Sequence, residues 1–105
     1  MSCCGDSRES GGAPSKGASA LPETQQMFHD FLKSANAPGA LDGRTKRAVA
    51  IALSVLARCG PCLKFHLRKA KDEGFSPEEI DEAAWMAIAF GGSPTMMFYS
   101  EAKKG

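Results

Sequence analysis

Two cysteines three residues apart and a histidine four residues further on stand in the stretch RCGPCLKFH, Arg58–His66. Cys59 and Cys62 bracket a Gly-Pro pair, and Pro61 suits the first turn of a helix. Cys62 then lies in that first turn and Cys59 just before it. Unpaired backbone N–H groups and the positive end of the helix dipole favour an anion there. A thiolate is such an anion, so at least one of the two thiols is expected to ionise more easily than a free cysteine. Their separation lets the sulfurs meet in a disulfide with little backbone movement. His66 falls on the same helix face as Cys62. It could take the thiol proton, stabilise the thiolate or protonate a leaving group. These parts suit a thiol redox centre. Two other readings use the same residues. Cysteine is often a small buried hydrophobe. A structural zinc ion needs four ligands, and the fourth would come from His29, Cys3, Cys4 or another subunit.

The elements that must position this cluster read as helices, with no strand-like alternation of any length. The spacing predicts a first helix over Pro22–Ser34, with Met27, Phe28, Phe31 and Leu32 as its apolar stripe. The turn-rich segment NAPGALDG, Asn36–Gly43, connects it to a long helix over Asp42–Arg58. A third helix starts near Gly60 and ends at Gly74. Ser76 and Glu79 frame a capping box, with Pro77 at the first helical position of a fourth helix. That helix runs to Phe90, where Gly91 and Gly92 break it. Ser93 and Pro94 begin a fifth, ending near Lys103. The class is all-α, with about five helices.

Ala48–Ala57 reads AVAIALSVLA, apolar nearly all the way round, and AAWMAIAF over Ala83–Phe90 is similar. A helix of that kind must be covered on every side. A folded region of this size has little material for it, so the expectation is a homo-oligomer. Trp85, Met86, Phe90, Met96, Met97, Phe98 and Tyr99 are read as core or subunit interface.

The rest of the chain narrows the function by exclusion. Its 105 residues carry a formal net charge of +1, with 43% hydrophobic and 24% charged residues. That balance gives no field for nucleic acid or an anionic membrane. No apolar run is long enough to span a bilayer, and the N-terminus lacks the apolar core of a signal peptide. The expected location is the cytoplasm, where disulfides are usually transient and catalytic. No flavin, haem or nucleotide fingerprint is present, so no cofactor is expected and the cysteines themselves should carry electrons. Residues 1–20 read as a mobile Gly/Ser-rich tail. It holds Cys3 and Cys4, vicinal thiols that could bind soft metals or metalloids or pass electrons to the dithiol. Residues 21–105 read as the folded domain. His29 reads as structural. Lys64, Arg68, Lys69 and Lys71 form a basic cluster that is either solvated or able to steer an acidic redox partner.

The CxxCxxxH element does not stand alone. LDGRTK at Leu41–Lys46, GFSPEEI at Gly74–Ile80 and AFGGSP at Ala89–Pro94 accompany it. Together, over about Leu41–Tyr99, they resemble the AhpD-like branch of the carboxymuconolactone decarboxylase family. The resemblance implies an all-helical oligomer built from trimeric units, as a trimer or hexamer. It also implies reduction of small hydroperoxides, or related thiol–disulfide exchange, with a dithiol protein as reductant. On that resemblance Cys62 is the peroxide-attacking cysteine, Cys59 its resolving partner and His66 the proton-relay histidine. One position departs from the pattern. The family's peroxidases carry a glutamate twelve residues before the first cysteine, and here Arg47 stands there. An arginine stays protonated and cannot serve as a base. Arg47 is expected either to be solvated, or to lower a nearby thiolate's pKa or hold an anionic substrate. The resemblance makes decarboxylation the less favoured activity, because the family's true decarboxylase branch does not rely on a CxxC.

Overall fold

A computed structural model describes residues 19–104, and those residues form five helices and no strand. They are α1 (Leu21–Asn36), α2 (Gly43–Leu56), α3 (Gly60–Asp72), α4 (Pro77–Gly91) and α5 (Ser93–Lys104). The expected order and number hold, and each boundary falls within two residues of the sequence reading. Helix α1 belongs to a separate compact unit that closes at Ala35. None of its residues is buried, and its stripe of Met27, Phe28, Phe31 and Leu32 is exposed.

The unit from Asn36 onward is organised around α2, which packs against α3, α4 and α5. Its core follows helical spacing. Ile51 and Val55 on α2 meet Leu63 and Ala70 on α3, Ile80, Ala84, Ala87 and Ile88 on α4, and Tyr99 on α5. The apolar character of α2 exceeds what this core uses. Val49, Leu53 and Leu56 remain 45%, 57% and 41% exposed. On α4, Trp85, Met86 and Phe90 are exposed as well, whereas Met96 and Phe98 on α5 are half-buried.

The helix ends are specified locally. Asp42 caps α2, its carboxylate accepting from the Thr45 N–H at 2.7 Å. Ser76 and Glu79 close the reciprocal capping box at the start of α4. At the end of α4, Gly91 lies where a Cβ would overlap the Thr95 hydroxyl and stand 3.1 Å from Leu56 Cδ1, so the side chains of Thr95 and Leu56 leave no room for one. Tyr99 donates to Asp81 at 2.7 Å, and Lys103 donates to the same oxygen at 3.0 Å, which ties α5 to α4.

Candidate active site

The turn between α2 and α3 sets the first cysteine. The Arg58 N–H donates to the Val55 carbonyl at 3.1 Å and the Cys59 N–H to the Ser54 carbonyl at 3.0 Å. This paired pattern closes a helix through one left-handed residue, normally glycine. Here that residue is Arg58, at φ 56°. Cys59 finishes α2 and at once begins α3. Its carbonyl accepts from the Leu63 N–H at 3.0 Å, and its sulfur accepts from the Cys62 N–H at 3.3 Å. Cys59 is therefore the N-cap of α3, and its sulfur takes the place that a serine or aspartate oxygen usually fills.

Cys59 and Cys62 are joined in a disulfide, with their Cα atoms 5.3 Å apart. Cys62 is exposed and Cys59 half-buried. His66 stands one turn beyond Cys62 on α3, half-buried, with the Phe65 ring edge-on to it at 5.1 Å between centroids.

Arg47 reaches this histidine from α2. Its Nη1 lies 2.6 Å from His66 Nδ1. Its Nε and Nη2 donate to the two carboxylate oxygens of Glu73 at 3.0 and 3.1 Å. The Arg47 side chain is only 15% exposed. It is thus not a solvated arginine, and each of its three nitrogens already has a partner in Glu73 or His66. Glu73 was not anticipated from the sequence. It is placed at the end of α3 by a second closing turn, in which the Gly74 N–H donates to Lys71 and the Phe75 N–H to Ala70, with Gly74 at φ 89°. The signal that could have found it is spacing: Glu73 is seven residues after His66, on one helical stripe.

The charges in this cluster act in opposite senses. Burial pushes the His66 pKa below its ordinary value, the Arg47 guanidinium pushes it further down, and Glu73 pulls it back up. The hydrogen bonds from Arg47 hold the Glu73 carboxyl below the usual range, aided by the charges of Lys69 and Arg44. Of the basic cluster, Arg68 and Lys69 lie 5.7 Å from the Phe65 ring centroid, beside the histidine.

The structure thus joins Cys59 to Cys62 and Arg47 to His66, and His66 follows Cys62 by one turn of α3. His29 lies on α1, in the other unit. Cys3 and Cys4 lie outside the described residues. Among the described residues no three His, Cys, Asp or Glu side chains are grouped as metal ligands.

Comparison with known proteins supplies the lineage. The model of the carboxymuconolactone decarboxylase family matches residues 22–102. An uncharacterized protein of the cox locus of Paracoccus denitrificans is 37% identical, over 69% of this chain and 71% of its own. A solved structure of lpg0406, a carboxymuconolactone decarboxylase family protein of Legionella pneumophila, superposes with a TM-score of 0.72 at 35% identity, covering 78% of this chain and 73% of that one. So does the structure of TM1620 from Thermotoga maritima, a family member for which a role in antioxidative response has been suggested. Its TM-score is 0.72 at 30% identity, covering 85% of this chain and 88% of that one. The chain belongs to the carboxymuconolactone decarboxylase family.

Proposed function

We propose that this protein is a thiol-dependent oxidoreductase whose electrons pass through Cys59 and Cys62. The observation that carries the reading is the Cys59–Cys62 disulfide at the start of α3, with a backbone N–H directed at the Cys59 sulfur. In the exchange direction, an incoming thiolate attacks the exposed Cys62 sulfur. The bond to Cys59 breaks, and its electron pair leaves on Cys59. The helix N-terminus receives that new thiolate, which makes Cys59 a good leaving group. A second thiol of the donor then attacks the mixed disulfide and frees Cys62.

The oxidant that re-forms the disulfide admits two readings. The AhpD-like resemblance and the suggested antioxidative role of the Thermotoga relative favour a small hydroperoxide. The Cys62 thiolate would take an OH group from the peroxide, giving a sulfenic acid and an alkoxide. Cys59 would then condense with the sulfenic acid and release water. The contact of Arg47 with His66 favours the second reading, in which the oxidant is another disulfide. A dithiol protein is the reductant that either cycle requires, and the chemistry needs no flavin or metal.

Stopped-flow mixing of the reduced protein with tert-butyl hydroperoxide and with 2-hydroxyethyl disulfide tests the redox assignment. Cys62→Ser is expected to abolish turnover with both. Full turnover in that variant would remove Cys62 from the chemistry.

The exposed apolar faces of α2 and α4 support assembly into a homo-oligomer, in the trimeric units that the resemblance implies. No helix among the described residues is long and apolar enough to cross a membrane, so these faces do not form a span.

A further inference from the structure

The contact between Arg47 and His66 has a definite polarity. A guanidinium carries only donors. With Arg47 Nη1 2.6 Å from Nδ1, that ring nitrogen must present its lone pair, and the single proton of the neutral imidazole lies on Nε2. A proton on Nδ1 would aim one N–H at another and set two cations in contact. Arg47 is not free to withdraw, because Glu73 holds its other two nitrogens and the side chain is largely buried. The groups that act on His66 are few. Phe65 is edge-on from the same helix, Arg47 reaches it from α2, and Glu73 lies at the end of α3. Arg44 and Lys69 act on Glu73 from beyond it. Among the described residues, Glu73 is the group that favours the imidazolium, and its charge is already matched by Arg47.

We propose that Arg47 is a positioning residue that fixes His66 as a neutral imidazole protonated at Nε2, so that the dithiol is served by a hydrogen-bond donor unable to carry a proton and exchanges with thiols and disulfides in preference to hydroperoxides. This rests on the redox reading of Cys59 and Cys62 given above. A ring in that state cannot accept a proton at Nε2, which already has one, or at Nδ1, which faces Arg47. Loss of the Nε2 proton would leave an imidazolate. Thiol–disulfide exchange does not need such a shuttle. One thiolate enters, the S–S bond breaks, and the electron pair departs on another sulfur as a thiolate. Peroxide reduction does need one. The O–O bond breaks with OH passing to the Cys62 sulfur, and the alkoxide departs with an electron pair that must be protonated. The Nε2–H of His66 can stabilise a thiolate, but it is a far weaker acid than an imidazolium, so the alkoxide must take its proton from water without that assistance.

Two measurements test this. Nitrogen-resolved NMR of the two histidines, assigned with His29→Gln, reads the tautomer directly. His66 is expected to remain neutral and Nε2-protonated as the pH falls from about 8 to below its ordinary value of about 6.5. An Nδ1–H tautomer, or an imidazolium already formed at that ordinary value, overturns the proposal. The second measurement uses the exchanged pair Arg47→Glu with Glu73→Arg, which keeps the ion pair and turns its acidic pole toward Nδ1. In that variant the His66 pKa should rise. The rate with tert-butyl hydroperoxide should also rise relative to the rate with 2-hydroxyethyl disulfide, by on the order of ten- to a hundred-fold. An unchanged ratio refutes the proposal while leaving the redox reading intact. Reaction of the reduced wild-type protein with neither probe refutes the redox reading itself, and this proposal with it. The wild-type tautomer needs no variant, so failure of the exchanged pair to fold would still leave a deciding result.

Discussion

The Arg47–Glu73 pair should be energetically coupled, and a double-mutant cycle can measure by how much. Arg47→Met removes the guanidinium and keeps an apolar stem. Glu73→Gln removes the charge and leaves the backbone of the α3 end intact. Fully exposed ion pairs contribute up to about 1 kcal/mol, whereas breaking a buried one costs about 3–5 kcal/mol. Here Arg47 is 15% and Glu73 41% exposed, so solvent screens one partner and hardly the other. Two parallel charge-assisted hydrogen bonds add geometric strength. The coupling energy is therefore placed between the limits, at about 1.5 kcal/mol. The cycle is needed because Arg47 also lies 6.0 Å from the Phe65 ring centroid and touches His66. Those contacts are lost equally in both arms and cancel. Urea unfolding of the oxidised protein and its three variants, followed by circular dichroism, supplies the four free energies. A coupling below about 0.5 kcal/mol, the usual additivity error, would mean that the pair does not hold Arg47 in place.

Three further outcomes follow from the same structure. Arg58 occupies a left-handed conformation that suits glycine, so Arg58→Gly should raise stability by about 0.5–1 kcal/mol in urea unfolding, and a loss would contradict the turn described for it. Gly91→Ala should destabilise by about 1–3 kcal/mol, because the added Cβ meets the buried, β-branched Thr95; thermal unfolding checks it. On acidification, stability should fall in two stages. Because the His66 pKa is depressed in the folded state, the unfolded chain binds the proton first, and stability declines as the pH drops below the ordinary 6.5. The stability contributed by the depressed carboxyls of Glu73 and Asp81 is present above their ordinary values of 4.5 and 3.8 and is lost as the pH falls through their lowered folded ones. Unfolding free energies between about pH 8 and 3 should show both stages, and His66→Gln should remove only the first.

Much of the fold was legible because its stop and start signals are chemical. Ser76 with Glu79, and Pro61 after Cys59, satisfy or tolerate the orphan N–H groups of a helix start, which a sequence displays directly. The placement of the dithiol and of His66 was legible because all three residues are local to the start of one helix. The end of α2 was less so. Its left-handed residue is an arginine, and nothing in the side chain of Arg58 announces that conformation. The partner of Arg47 was invisible for a different reason. Glu73 is 26 positions away, and the pairing depends on how α2 and α3 cross. The surplus apolar surface of α2 could be read from composition, whereas its partition between core and exterior depended on where α4 and α5 came to rest.

The double duty of Cys59, last word of one helix and first of the next, has a mechanical consequence. Its amide is tethered to Ser54, its carbonyl to Leu63, and its sulfur faces the Cys62 amide. A residue pinned on three sides cannot swing outward to greet a visitor. Any molecule trading electrons with this protein must carry its own sulfur down to the surface at Cys62 and do the bending itself, so loose or protruding thiols should be served faster than recessed ones.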